Sequence, residues 1–208
     1  MGVDETSDRI VLSALAVFLR QGVRRSSLTD VAFEAGITRI TVYRYFGDKR
    51  GLVEAVCRHV GGIFRRAAEG HPHDTAAQID ARLSHLGEEL GRLRPGNWLA
   101  CFEEIRRLYP AVHEEFRAAR EKALDRIFEQ AVAAASREQT LREGINLQVV
   151  RVMFWASVVG LIDNPTLIAA NIPIAEICET VTAVLRHGML KTDAATAATP
   201  GVHREVAR

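Results

Sequence analysis

Leu28-Thr-Asp-Val-Ala-Phe-Glu-Ala-Gly36-Ile-Thr-Arg-Ile-Thr-Val-Tyr-Arg-Tyr-Phe46, followed by Gly47-Asp48-Lys49-Arg50, decides the fold. It reads as two short helices joined by one glycine. Thr29 is expected to cap the first, with Leu28 before the cap and Phe33 at the fourth helical position as a hydrophobic staple, and with Asp30 at the positive end. Thr38 repeats the device, with Ile37 and Val42 as its staple. Gly36 can adopt the left-handed conformation that ends one helix and turns the chain into the next. Two capped helices around so tight a turn are the grammar of a helix-turn-helix.

The second helix has a distinctive outer face. With Val42 at the centre of the buried side and a step of about 100° per residue, Phe46 falls nearby while Ile40 and Arg44 point almost directly away. Arg39, Ile40, Thr41, Tyr43 and Arg44 then form a surface suited to phosphates, base edges and thymine methyls in a major groove. Lys49 places a cation in the first turn of the next helix, against the positive end of the helix dipole. A DNA phosphate docked there would compensate it.

The stretch resembles the TetR family of repressors, from about Asp8 to Phe64 and most strongly from Leu28 to Leu52. The resemblance is carried by Ala35-Gly36-Ile37-Thr38, Tyr43-Arg44-Tyr45-Phe46, Lys49 and Leu52 together. It implies that Thr29, Thr38, Tyr43 and Lys49 hold the DNA backbone and that the residues from Arg39 to Arg44 approach bases. Ile40 stands where the family often has a small residue, which suggests apolar contact with a thymine methyl.

Outward from this stretch, apolar residues recur at helical spacing and strand-like alternation is hard to find, so the fold class is all-α. A first helix is expected from about Asp8 to Gln21 with Gly22 as its cap. Glu69 to Asp74 has helix breakers and no large apolar residue, which marks a joint between a DNA-binding domain at 1–66 and a helical regulatory and dimerisation domain at 67–190. Helices are expected there at about 75–93, 97–108, 111–135, 146–163 and 173–190. The Ala/Thr-rich tail at 191–208 is expected to be poorly ordered.

Net charge is only +1 over 208 residues, yet residues 1–66 hold 11 Lys and Arg against 7 Asp and Glu, so the basic end carries the helix-turn-helix. Cys57, Cys101 and Cys178 form no C-x-x-C pair and read as reduced thiols of a cytoplasmic protein, not as a disulfide framework or a structural zinc site. His71 and His73 at the joint have no evident third ligand and read as exposed linker residues. The apolar run from Val149 to Ile162 is shorter than the roughly 20 residues of a membrane span, and the acidic start at Asp4, Glu5 and Asp8 is unlike a secretory signal.

That apolar run would be hydrophobic on nearly every side as a helix, which implies a second partner. Val149, Val152, Met153 and Ala156, with Ile174, Ile177, Cys178, Val181 and Leu185 of the last helix, are expected to form a four-helix interface with a second subunit, as in the family resembled. Two ordinary core helices are the other reading. The resemblance also implies a pocket for an unidentified small-molecule effector, for which Trp98, Phe102, Tyr109, Phe128 and Trp155 are candidate lining, or plain core filler.

The expected function is a homodimeric, sequence-specific regulator of transcription, a repressor released from double-stranded, palindromic operator DNA by the small-molecule effector, without a cofactor. Two other classes remain. One is a helical dimer acting through protein partners, or coating DNA without an effector. The other is an all-α enzyme, for which no Gly-rich phosphate loop, H-E-x-x-H or nucleophile elbow is present.

Overall fold

The computed structural model describes residues 3–93, 98–162, 164–170, 172 and 174–190. The tail expected to be disordered, and the side chains of Ile174 and Cys178, lie outside the described residues. The chain runs through α1 (Val3–Gln21), α2 (Leu28–Ala35), α3 (Arg39–Phe46), α4 (Lys49–Ala68), α5 (Ala76–Arg92), α6 (Trp98–Leu108), α7 (Pro110–Arg137), α8 (Leu147–Ile162), α9 (Pro165–Ala169) and α10 (Ile174–Met189). Beyond the helices, the described residues add an isolated antiparallel bridge between Leu141 and Leu190. The fold is all-α, as the spacing of apolar residues requires.

Sequence signals account for most of the ends. Gly22, at φ 86°, closes α1 by donating its N–H to the Phe18 carbonyl at 2.9 Å. Pro110 opens α7, where a missing N–H costs nothing. The Asn164-Pro165 pair separates α8 from the next helix and starts that helix. Asn164 Oδ1 accepts the Thr166 N–H at 2.9 Å and caps the short α9.

One hydrophobic core runs through the molecule. It begins with Ile10, Leu15 and Phe18 of α1, takes in Val31 and Val42, follows Val53, Val56, Val60 and Phe64 along α4, and continues into Leu124 and Ile127 of α7. Helix α4 therefore belongs to both halves. Its first turn lies against α3 and its last against α5 and α7, so at 1.5 Å per residue its 20 residues form a rod of about 30 Å.

Cys57 and Cys101 are free thiols within this core, and burial pushes each up to about 12. A thiol must be both exposed and ionised to react. At pH 8, site-resolved mass spectrometry after iodoacetamide should find Cys57 and Cys101 unmodified in the native protein and fully alkylated in denaturant.

Candidate nucleic-acid interface and the cavity behind it

The cap of α2 lies two residues earlier than the sequence reading has it. Ser27 is the N-cap: its hydroxyl accepts the Asp30 N–H at 3.2 Å, while Asp30 Oδ2 accepts the Ser27 N–H at 2.7 Å. This reciprocal pair, led by the Ser27 hydroxyl donating to the same carboxylate, holds the Asp30 carboxyl below its usual range. Thr29 is thus an exposed residue of the first turn, not the cap. Phe33 makes no staple either, because it lies 88% exposed on the opposite side from Val31, Ala32 and Ala35.

Gly36, at φ 66°, closes α2 in the left-handed conformation and returns two N–H groups, its own and that of Ile37, to Phe33 and Ala32. Helix α3 then follows the sequence reading. Thr38 Oγ1 accepts the Thr41 N–H at 3.2 Å and lies 3.0 Å from the Thr41 hydroxyl, while Ile37 packs against the core that contains Val42. Val42 is fully buried. Ile40 is 79% exposed, Tyr43 63% exposed, and Arg39 and Arg44 are exposed with no ion pair among the described residues. Thr41 is half-buried. Tyr45 and Phe46 pack against the core, and the Arg44 guanidinium lies 5.7 Å from the Tyr45 ring centroid. An isoleucine, a tyrosine and two arginines are thereby aimed outward from one short helix held at both ends.

Lys49 behaves differently from the expectation. Its ammonium donates to the carbonyls of Arg24, at 3.2 Å, and Ser26, at 2.5 Å, both in the α1–α2 loop. The compensation expected from a DNA phosphate comes from within the chain, and partial burial lowers the affinity of the ammonium for its proton. Asp48 takes the N-cap of α4 by accepting the Gly51 N–H at 2.8 Å. Glu104 joins the same loop from α6, accepting the Arg24 N–H at 2.8 Å. No sequence signal links position 104 or 24 to 49, because the contact exists only after the chain folds back.

Behind this surface, a small apolar cavity of about 70 Å³ lies among α5, α7, α8 and α10. Its lining includes Ile79, Leu83, Ile127, Phe128, Ala131, Phe154 and Leu185, with Asp80 and Thr182 as polar members. Of the five aromatic residues expected there, Phe128 is the one that lines it. Trp98 stacks on Phe102 at 5.8 Å, Phe102 meets Phe116 at 4.8 Å, and Tyr109 packs against the core. Trp155 instead donates its indole N–H to Asp125 at 2.9 Å, beside the Arg151–Asp125 ion pair at 2.7 Å, fastening α8 to α7. The missed lining had a faint signal in Ala131 and Ala135, small residues four apart that leave room on one face of α7.

The expected interface divides. Val149, Val152, Met153 and Ala156 of α8 are exposed along one stripe. Ile177 and Val181 of α10 are instead buried inside the subunit, and Leu185 faces the cavity. The outer side of α10 is Thr180, Ala183, Val184 and His187, with Val184 65% exposed. His71 and His73 are exposed, and no group of three potential metal ligands occurs among the described residues. No helix among them is long and apolar enough to cross a membrane.

Residues 10–56 match the family described as bacterial regulatory proteins, tetR family. The match runs from α1 into the first turns of α4, so the likeness to that family is one of the N-terminal unit. Over 52 residues this unit is 42% identical to the HTH-type transcriptional repressor BepR of Brucella suis, covering 25% of either chain. The HTH-type transcriptional repressor LfrR of Mycolicibacterium smegmatis is 32% identical over 94 residues, 45% of this chain and 49% of its own. The curated relatives are thus matched over a quarter to a half of their lengths. A likeness of fold extends further. SmeT, the repressor of a multidrug efflux pump of Stenotrophomonas maltophilia, superposes with a TM-score of 0.63 at 23% identity over 96% of both chains. Bacillus subtilis FadR, solved with stearoyl-CoA, superposes at 0.61 and 17% identity over 86% of this chain and 96% of its own.

The α3–α4 corner tolerates no side chain at residue 51. A Cβ on Gly51 would overlap the carbonyl oxygen of Phe46, the last residue of α3, and backbone cannot step aside. Gly51→Ala should therefore destabilise the protein by about 1–3 kcal/mol. A melting temperature unchanged within a degree would contradict that close approach.

Proposed function

We propose that this chain is a sequence-specific DNA-binding regulator of transcription that acts as a homodimer and is released from a palindromic operator by a small molecule. The reading rests above all on the outward face of α3, where Ile40, Tyr43, Arg39 and Arg44 are exposed on a helix whose Thr38 cap and buried Val42 fix its rotation. Exposing an isoleucine and a tyrosine to water has no folding benefit, whereas both suit a groove that presents thymine methyls and phosphates. Arg39 and Arg44 supply charge for phosphates or for guanine edges. Thr29 and Thr38, at or beside the two helix starts, suit backbone phosphates. Lys49 contributes by holding the α1–α2 loop, so that α2 and α3 meet the duplex as one piece.

A second copy docks on the exposed stripe of α8, Val149, Val152, Met153 and Ala156, together with Val184 and Ala183 of α10. Val152, 67% exposed beside other apolar groups, leaves a patch that water disfavours. Two α3 helices set about 34–36 Å apart would then read successive major grooves. The effector enters the apolar cavity lined by Phe128 and Phe154, and repression is the sign favoured by the repressors among the relatives.

Selection of bound fragments from genomic DNA, followed by titration at two salt concentrations, tests the reading. Specific binding should concentrate on few palindromic sites, with affinity falling steeply as salt rises. On such a fragment, Arg44→Ala should cost about 1–3 kcal/mol and relax preference at one position of each half-site. Lys49→Met should weaken all sequences alike and lower the melting temperature. Uniform loss from both substitutions would remove base reading from α3.

Sedimentation equilibrium tests the dimer. Val152→Glu and Val184→Glu should each yield a folded monomer, whereas Ile177→Glu should unfold the subunit. A wild-type monomer at micromolar concentration would contradict the interface.

A further inference from the structure

Helices α4 and α7 leave an open groove between them that shares no lining residue with the apolar cavity. It follows α4 from Glu54 to Glu69, about 22 Å at 1.5 Å per residue. Its volume of about 710 Å³ falls within the roughly 300–1,000 Å³ of small-molecule sites. The lining includes Gly61, Gly62, Phe116, Ala119 and Ala123. The two helices run the same way: a Cβ on Gly61 would lie 3.7 Å from the Phe116 ring, and Gln130 donates its amide N–H to the Ala68 carbonyl at 3.1 Å. Lys122 and Arg126, which fall between Phe116 and Gln130, therefore edge the groove along the second half of α4.

The charges along this groove do not cancel. Arg58, Arg65, Lys122 and Arg126 line it against Glu54, Glu69 and Glu115. Glu54 is held by Arg50 at 3.0 Å, and Glu69 holds Arg65 at 3.7 Å. Arg58, Lys122 and Arg126 are exposed and have no ion pair or hydrogen bond among the described residues. Glu115 is left to face them, and with Arg58 it lies towards the start of α4, away from Lys122 and Arg126. Those two cations stand four residues apart on one side of α7, where like charges repel. Arg117 of the same helix is, by contrast, held by Glu114 and Glu121.

The groove also contains two adjacent glycines in the middle of α4, where glycine is destabilising relative to alanine. Packing within the subunit does not require them. A Cβ would meet Phe116 at 3.7 Å from Gly61 and the Arg66 guanidinium at 3.5 Å from Gly62, both ordinary contacts. Their missing side chains leave bare backbone on which an apolar occupant can lie.

We propose that the α4–α7 groove binds an amphipathic anion, with its apolar body over Gly61, Gly62 and Phe116 and its phosphate or carboxylate between Lys122 and Arg126. The site is separate from the apolar cavity, and the inference does not depend on what that cavity holds. Covering the glycine backbone and the Phe116 ring removes apolar surface of the ligand from water. The Arg126 guanidinium offers paired donors to an anionic head, and the Lys122 ammonium adds a point charge. The same two cations repel a positively charged molecule with an identical body. Both stand in solvent, so salt weakens the attraction.

The test uses the full-length protein and two probes with the same alkyl chain, decyl phosphate and decyltrimethylammonium, each below its micelle concentration, in isothermal titration calorimetry. Decyl phosphate should bind once per chain, and decyltrimethylammonium about tenfold more weakly or not at all. Lys122→Ala combined with Arg126→Ala should weaken decyl phosphate about tenfold and leave decyltrimethylammonium no weaker than before. Gly62→Leu should block the groove and abolish binding while the melting temperature holds or rises, since leucine is the better helix former. Equal affinity for the two probes would overturn the proposal, as would decyl phosphate binding that survives both sets of substitutions. Binding lost in Ala131→Phe, which fills the apolar cavity, but kept in Gly62→Leu would place the ligand in the cavity and overturn the groove. Absence of decyl phosphate binding at millimolar concentration would overturn it as well.

Discussion

The structure depends on α4 being one unbroken helix, Lys49–Ala68, fixed at both ends by groups outside itself. At its start, the Lys49 ammonium and the backbone contact of Gly51 with the Phe46 carbonyl lock it under α3 and against the α1–α2 loop. At its end, two carbonyls that would otherwise be orphaned accept from Arg82 and Gln130. A buried backbone carbonyl without a partner would cost about 1–3 kcal/mol. Both joints are therefore costly to break.

The hydrophobic core serves the same end. It passes without a break from Ile10 to Ile127, so the helix-turn-helix is not a bead on a flexible string. Glu104 adds a second polar tie from α6 to the α1–α2 loop, close to the Lys49 contact. The polar groups that join the two halves are few, partly buried and mutually satisfied. Such an arrangement favours discrete positions over continuous drift.

Some errors of the sequence reading had a remedy in the sequence. Ser27 and Thr29 both offer a hydroxyl near the start of α2, and the carboxylate of Asp30, three residues after Ser27, selects the former through a reciprocal box. Others had none. The stripe Ile177, Val181 and Leu185 is plain as a pattern, but amphipathicity says only that a face is dry, and here it is dried by α5 and the cavity wall instead of by a second subunit. Trp98, Phe102, Tyr109 and Trp155 were equally ambiguous, since aromatic size predicts burial without saying against what.

The local grammar of α3 is different in kind. Thr38, Gly36 and the period that separates Val42 from Ile40 and Arg44 act within a few residues, so the sequence alone determined a capped helix with a defined outer face, and an all-α chain around it. Tertiary structure decided what distant groups do for one another: the carbonyls that hold Lys49, the closeness of Gly51 to Phe46, the residues that line the cavity and the side chains that donate to the last carbonyls of α4. Those depend on where helices separated by many residues come to lie, and hydrophobic spacing fixes which side of a helix is buried but not which neighbour buries it.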